Sequence, residues 1–301
     1  MSAGGFVAAL DGGGTKAALA TAATDGRILE QSRIETRPER GAGQALRRTM
    51  DAARALIERT ATATGGRCLG AGAVCPGIPL EDRVLLSPNV PGWGDLAFAR
   101  EVRDALALER VAVRNDVKAA GVAEARWGAR AGADPGVFLS LGTGIAAAIL
   151  VGGRALDGAH GASGELAYVR RGAGEAEAYA DGHAPLEELA GGRFIGERAS
   201  ALAGRPLTAA EAFAADDAPI VALVDRTLDE LAVQVANVAI LIDPACIAVG
   251  GGLMASADRV LAALRRELER AVPFPPALVP ARFVHDGALR GAVALALDAV
   301  A

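Results

Sequence analysis

Lysine is almost missing from this chain: of 31 basic residues only Lys16 and Lys118 are lysine, and the rest are arginine. A basic surplus is missing too, since 36 acidic residues leave a formal net charge of -5. That balance argues against a general nucleic-acid surface, which needs a basic patch to displace counterions, and points to small-molecule partners. Cysteine is scarce: Cys68, Cys75 and Cys246 are scattered and form no Cys-x-x-Cys spacing. That pattern fits a reducing, cytoplasmic compartment better than a disulfide framework. Long hydrophobic runs are absent as well. The longer ones, such as Ile145 to Val151, are far too short to span a bilayer, and no basic region precedes an apolar stretch at the N-terminus. The expectation is a protein neither exported nor embedded in a membrane.

What is present is a chain of 301 residues, 51% of them hydrophobic, long enough for two domains or one large one. The segment Leu10-Asp11-Gly12-Gly13-Gly14-Thr15-Lys16 lies between the apolar runs Phe6 to Leu10 and Ala17 to Ala20. Glycines let backbone N–H groups face an anion, Thr15 adds a hydroxyl, and Asp11 can hold a hydrated cation beside a phosphate. The Walker spacing and its following helix are both absent, so taken alone the segment reads as a glycine-rich hairpin turn.

The pattern continues as a strand at Ile28 to Glu35, an amphipathic helix from about Gly43 to Ala61, and a strand at Leu69 to Cys75 ending in Pro76-Gly77. A short strand at Arg83 to Leu86, a helix at Leu96 to Ala107 and a strand at Val111 to Arg114 follow. Asn115-Asp116 then stands at that strand's carboxyl end, before a helix from Val117 to Trp127; ligands of open α/β sheets bind at such ends. After Asp134-Pro135-Gly136 the opening unit recurs: strand Val137 to Leu141, turn Gly142-Thr143-Gly144, strand Ile145 to Val151. An irregular region from Gly152 to Gly182 gives way to helices from about Leu186 and to a long, apolar helix at Ile220 to Ile242, expected to be buried. A strand at Ile247 to Val249 meets Gly250-Gly251-Gly252, then come a helix at Ala257 to Ala271, a proline-rich link at Pro273 to Pro280, a strand at Arg282 to Val284 and a final helix from Ala288. Two related α/β halves around a cleft are expected, with three glycine turns disposed to grip a nucleotide triphosphate.

Leu10 to Lys16, Arg114-Asn115-Asp116, Leu141-Gly142-Thr143-Gly144, Gly158-Ala159-His160-Gly161-Ala162-Ser163-Gly164-Glu165 and Val249-Gly250-Gly251-Gly252-Leu253 together resemble the ROK family of sugar kinases and repressors. The likeness runs along the whole chain. It implies a two-domain α/β, actin-like (ribonuclease-H-like) fold, with residues 1–117 plus a returning helix 287–301 as one domain and 118–286 as the other. It also implies ATP and Mg²⁺ as cosubstrate and cofactor, with phosphoryl transfer to a hexose hydroxyl.

On this resemblance Asp116 is the general base for the sugar's 6-hydroxyl, and Asp11 holds Mg²⁺ through water. Read from its position alone, Asp116 is an N-cap of the helix that follows. The turns Gly12, Gly13, Gly14, Thr15, Lys16, then Gly142, Thr143, Gly144, then Gly250, Gly251, Gly252, hold the nucleotide. Gly77, Asn89, Asn115, Asp116, Glu165, Tyr168 and Glu187 meet the sugar. For Glu165 and Glu187 the residues alone suggest only solvated carboxylates. The family's usual structural zinc ligands, one His and three Cys, align with Tyr168, Ala178, Ala180 and Pro185. All four are replaced together, so no zinc site is expected. Tyr168 also stands where hexoses and 2-amino sugars differ, and Arg114 replaces a usual Glu. The resulting expectation is a cytoplasmic, homodimeric hexose 6-kinase, glucose first and amino sugars next. A sugar-responsive repressor is disfavoured because only ten residues precede Asp11, too few for a helix-turn-helix. A silent sugar sensor is the third possibility.

Overall fold

The computed structural model describes residues 4–87, 91–129, 131–175 and 177–301. It divides into two compact units, Met1–Ala123 with Asp286–Ala301, and Glu124–His285.

In the first unit β1 (Phe6–Gly12) turns back into β2 (Lys16–Ala23), which pairs with β3 (Ile28–Glu35); α1 (Ala42–Thr64) and β4 (Cys68–Cys75) follow. A minimal hairpin of β5 (Ile78–Pro79) and β6 (Val84–Leu85) leads to α2 (Phe98–Leu106), β7 (Val111–Asn115) and the start of α3 (Asp116–Trp127). The sheet order is β3-β2-β1-β4-β7, with β1, β4 and β7 parallel. Alternation decides its two faces. Ala8, Leu10, Leu19, Ala73 and Cys75 join Leu46, Met50 and Leu56 of α1 and Phe98 and Val102 of α2 in one core. Trp93 extends that core by stacking on Phe98, with ring centroids 5.4 Å apart.

The opposite face is covered by the C-terminal helix, Gly287–Val300, and glycine makes the fit possible. A Cβ on Gly72 of β4 would lie 2.1 Å from the carbonyl oxygen of Ala292. One on Gly291 would lie 2.2 Å from the Ala119 backbone of α3. Backbones this close leave no space for any larger residue.

The second unit repeats the strand-turn-strand opening with β8 (Gly136–Leu141) and β9 (Ile145–Val151), and β10 (Arg154–Ala155) pairs with β9. Helices α4 (Pro185–Ala190), α5 (Gly192–Ala203), α6 (Ala209–Ala214) and α7 (Ala218–Ile242) precede β11 (Cys246–Gly250), α8 (Ala257–Ala271) and β12 (Ala277–Pro280); the C-terminal helix is then α9. The order here is β10-β9-β8-β11-β12. Its core joins Leu139, Leu141 and Ile247 of the sheet to Leu228 and Leu231 of α7 and Leu264 of α8.

Two sequence expectations need correction. The strand expected at Arg282 to Val284 is not one, and the sheet's last strand, β12, lies inside the proline-rich segment. An edge strand tolerates proline because its outer N–H groups are not needed. The Phe283 N–H is taken instead by Oε1 of Glu124 at 2.6 Å, and Arg282 donates to the Trp127 carbonyl at 2.9 Å. Helix α7, expected to be buried, exposes Val233, Ile240 and Leu241 along one side. No helix among the described residues is long and apolar enough to cross a membrane.

Candidate active site

In the first unit the chemistry gathers at the carboxyl ends of three adjacent parallel strands. Asp11 pairs in register with Val74 of β4, and Cys75 with Asn115 of β7. The parallel alignment therefore carries Asp11, Cys75 and the Asn115-Asp116 pair to the same edge of the sheet. Burial, followed by the charge of Asp116, pushes Asp11 from 3.8 to about 7, and Arg33 partly opposes them. Asp116 is raised chiefly by burial, although the backbone N–H of Val117 donates to its carboxylate at 2.8 Å. Burial and then the charges of Asp116 and Asp11 also push the Cys75 thiol up, which marks how closely that thiol sits to both carboxylates.

Asp116 is the first residue of α3, but it is not the helix cap. Asn115 takes that role, its Oδ1 accepting from the Lys118 N–H at 2.9 Å. The Nδ2 of the same side chain donates to the Gly77 carbonyl at 3.0 Å, so one amide fixes both the helix start and the loop after β4. Gly77 itself has a φ of 80°, a left-handed conformation that favours glycine. The capping reading of Asp116 thus moves one residue back, and its carboxylate carries no cap.

The turn from Gly12 to Lys16 is braced from β3's end. Thr36 Oγ1 donates to the Gly14 carbonyl at 2.6 Å, and the Thr36 N–H donates to the Thr15 carbonyl at 3.0 Å. A Cβ on Gly13 would sit 2.5 Å from the Lys16 carbonyl oxygen, so the tightness of the turn requires glycine there. Thr15 and Lys16 are exposed. Two hard carboxylate donors beside a glycine turn suit a hydrated divalent cation next to phosphate.

The second unit brings the other two glycine turns together. The Gly142 N–H donates to the Gly144 carbonyl at 2.9 Å, closing the turn between β8 and β9. β11 runs parallel to β8, and Gly251, with a φ of 92°, crosses so close that a Cβ would lie 2.4 Å from the Leu141 carbonyl oxygen. A Cβ on Gly142 would in turn lie 3.7 Å from the Gly252 nitrogen. The two turns form one wall of a cavity of about 440 Å³. Its opposite wall, unforeseen from the sequence, is built by Gly192, Gly196 and Ser200 of α5 with Leu207, Ala209 and Phe213 around α6. The start of α5 is tied to the turn, because the Gly192 and Arg193 N–H groups donate to the Gly142 and Thr143 carbonyls at 2.8 and 3.3 Å. The recurrence of small residues at Gly192, Gly196 and Ser200, one per helical turn, is the signal that could have pointed to this wall.

Glu165, Tyr168 and Glu187 also assemble in this unit. Gly164, with a φ of 83°, docks on β9 and accepts from the Ala147 N–H at 2.8 Å, which sets Glu165 at the entry to a short 3-10 turn, Leu166–Tyr168. Glu187 is buried rather than solvated: its Oε2 accepts from the Ile145 N–H at 3.1 Å. Tyr168 is pushed up to about 12 by burial first and then by the charges of Glu165 and Glu187. Its hydroxyl is therefore a donor at any physiological pH. Its ring meets Tyr179 edge-on with centroids 5.3 Å apart. Ala178 and Ala180 flank Tyr179, and Pro185 opens α4. Nearby, His183 is held by Glu188 at 3.0 Å and raised by that hydrogen bond. Glu177, His183 and Glu188 are the one group of three metal-type ligands among the described residues. Asn89 lies outside the described residues.

Gly144 explains how Glu187 fits, since a Cβ there would lie 2.3 Å from Glu187 Oε2. Gly144→Ala is expected to push the carboxylate off the Ile145 N–H and to destabilise the protein by about 1–3 kcal/mol, the usual cost of a buried unpaired donor. Urea unfolding of the variant measures this; an unchanged midpoint would mean the carboxylate moves freely.

Comparison with known proteins follows the same lines. A hexokinase of the ROK type from Thermus thermophilus superposes with a TM-score of 0.80 at 30% identity, covering 97% of each chain. A ROK glucokinase from Streptomyces griseus, solved with glucose and AMPPNP, superposes at 0.76 with 25% identity, over 97% of this chain and 99% of that one. The N-acetylmannosamine kinase of Escherichia coli O7:K1 (strain IAI39 / ExPEC) is 29% identical over 314 aligned positions, 96% of this chain and 97% of that protein. The fold is thus the mixed α/β, actin-like one of these sugar kinases. With two repeated sheets, glycine turns after β1, β8 and β11, and a sequence that matches the family from residue 7 to residue 299, the chain belongs to the ROK family.

Proposed function

We propose that this chain is an ATP-dependent sugar kinase that moves the γ-phosphoryl group to the 6-hydroxyl of a hexose, with glucose as the first acceptor. The observation that carries the reading is the pair of half-buried carboxylates, Asp11 and Asp116, at the ends of β1 and β7, both raised above the usual carboxylate range, with capping left to Asn115. Asp116 accepts the proton of the 6-hydroxyl. The freed oxygen forms a bond to the γ-phosphorus, and the bond from that phosphorus to the β–γ bridging oxygen breaks, leaving ADP. Asp11 would hold Mg²⁺ through water, and the cation's charge would offset that of the phosphate oxygens. Asn115 orients the Asp116 segment and the Gly77 loop through its two hydrogen bonds. The Gly12 to Lys16 turn, Gly142 to Gly144 and Gly250 to Gly252 are read as the nucleotide's holders. Glu165, Tyr168 and Glu187, with Gly77 and Asn89, are read as the sugar's.

The kinase relatives named above support phosphoryl transfer to a sugar, and they include both a glucokinase and an N-acetylmannosamine kinase. An amino-sugar acceptor (glucosamine, kanosamine, N-acetylmannosamine or N-acetylglucosamine) is therefore the second reading. Tyr168, a bulky donor flanked by two carboxylates, is the feature that favours it. ADP release over a panel of hexoses and amino sugars tests the assignment. One or more 6-hydroxy sugars should stimulate release strongly, and a flat panel would refute it. The protein is read as cytoplasmic and homodimeric.

Zinc is not part of this reading. Tyr168, Ala178, Ala180 and Pro185 offer no thiolate or imidazole, whereas a structural zinc takes about four such ligands. Elemental analysis of purified protein should find far less than one zinc per chain. Stoichiometric zinc removable only with loss of structure would overturn this part.

A further inference from the structure

In the first unit an arginine stands uncommitted beside the carboxylates. Asp11 of β1 is the register partner of Ala18 in β2, and Ala18 is the register partner of Arg33 in β3. Residues paired in register point to one face of a sheet. The adjacent trio Leu10, Leu19 and Ser32 takes the other face, where Leu10 and Leu19 enter the core formed with α1 and α2. Asp11, Ala18 and Arg33 therefore share the face away from that core. Neighbouring strands lie about 4.8 Å apart, so the acid and the base are two such spacings from each other with only the methyl of Ala18 between them. Arg33 is exposed, and its charge pulls Asp11 down against burial and Asp116. Among the described residues its side chain makes no hydrogen bond or ion pair, whereas Arg54, Arg59, Arg83 and Arg103 of the same unit each hold a carboxylate.

We propose that Arg33 is a ligand of the phosphoryl donor, its guanidinium reaching over Ala18 to take terminal phosphate oxygens on the side of the site that Asp11 occupies. The proposal rests on the kinase reading above. Arginine's planar fork matches phosphate oxygens two at a time, and an uncommitted guanidinium gives up no protein partner when it binds one. Phosphoryl transfer leaves the protein little covalent chemistry, so positioning and electrostatics carry the rate. As the bond from the γ-phosphorus to the β–γ bridging oxygen breaks and the bond to the sugar's 6-oxygen forms, negative charge builds on the departing ADP. A cation fixed beside it offsets that charge. The small residue at position 18 belongs to the same device, because a long side chain there would stand between Arg33 and Asp11.

The test uses Arg33→Gln and Arg33→Lys, with turnover on the best sugar of the panel and with binding of AMP and the non-hydrolysable AMPPNP in chelator, free of Mg²⁺. In Arg33→Gln kcat should fall by about 10²–10³-fold, as for loss of one transition-state donor, while the sugar KM stays unchanged. Metal-free affinity should hold for AMP and drop by about 10–100-fold for AMPPNP, the worth of a charged hydrogen bond, since only the longer phosphate chain reaches the fork. Lysine keeps the charge in a less matched shape, so Arg33→Lys should fall between Arg33→Gln and native in both measurements. Three results would each overturn the proposal and leave the kinase reading intact: kcat of Arg33→Gln within a few-fold of native, equal losses for AMP and AMPPNP, or Arg33→Lys no better than Arg33→Gln. If the native chain yields no sugar phosphate with any acceptor, both fall.

Discussion

Asp116→Asn should lower kcat by about 10²–10⁴-fold, the usual contribution of a positioned general base, while the dissociation constant for the sugar stays within a few-fold. The variant keeps the shape and an oxygen that can accept from the Val117 N–H, as the native Oδ1 does at 2.8 Å. The start of α3 is therefore undisturbed, and its cap belongs to Asn115 in any case. Only proton acceptance is lost. The pH profile gives an independent check: burial raises both Asp116 and Asp11, so native kcat/KM should decline as pH falls, and in Asp116→Asn the acid limb should move to lower pH, because the Asp116 charge that helps raise Asp11 is gone. Near-native turnover in Asp116→Asn would remove Asp116 from the role of base.

The second large effect concerns Asp11 and runs in opposite directions for stability and activity. Its carboxyl is raised from 3.8 to about 7 by burial, then by Asp116, against the weaker opposing pull of Arg33. A group whose folded pKa is raised binds its proton more tightly in the folded state. Its contribution to stability is complete below pH 3.8 and is lost as pH rises through about 7. At about 1.4 kcal/mol per unit, the ionised group costs the metal-free protein up to roughly 4 kcal/mol above pH 7. Asp11→Asn removes that cost. In chelator at pH 8 the variant should be more stable than the native chain by a few kcal/mol, the gain should disappear near pH 4, and kinase activity should collapse. Urea unfolding at the two pH values measures this, and a variant less stable than native at pH 8 would contradict it. A carboxylate held at such a cost has the character of a functional group whose strain is stored at a working site.

Much of the site is legible in the amino-acid sequence itself. Glycine turns after apolar strands announce themselves because only glycine tolerates the backbone approaches involved, as Gly13 and Gly251 demonstrate with gaps of 2.5 and 2.4 Å for a Cβ. Asn115-Asp116 was legible as a strand end followed by a helix, but which of the two capped the helix was not, since both residue types are strong N-caps. The burial of Glu187 was also hidden. It depends on a missing Cβ at Gly144, some forty residues away in sequence, and no local pattern reports that. The α5–α6 wall of the cavity is marked in the sequence only by the small residues Gly192, Gly196 and Ser200, one per helical turn, and it takes tertiary packing to turn them toward the glycine turns. β12 was missed because three prolines, Pro275, Pro276 and Pro280, mask an edge strand that needs hydrogen bonds on one side only.

The most direct measurement is identification of the product. The purified chain is incubated with Mg²⁺, ATP and its best acceptor, and phosphorus–proton correlation by NMR locates the new phosphate, with the 6-deoxy sugar as control. The account predicts a single sugar phosphate esterified at the 6-oxygen, formed with one ADP per sugar, and no product from the 6-deoxy control. Phosphate on the anomeric oxygen, or ADP released without any sugar phosphate, would contradict it.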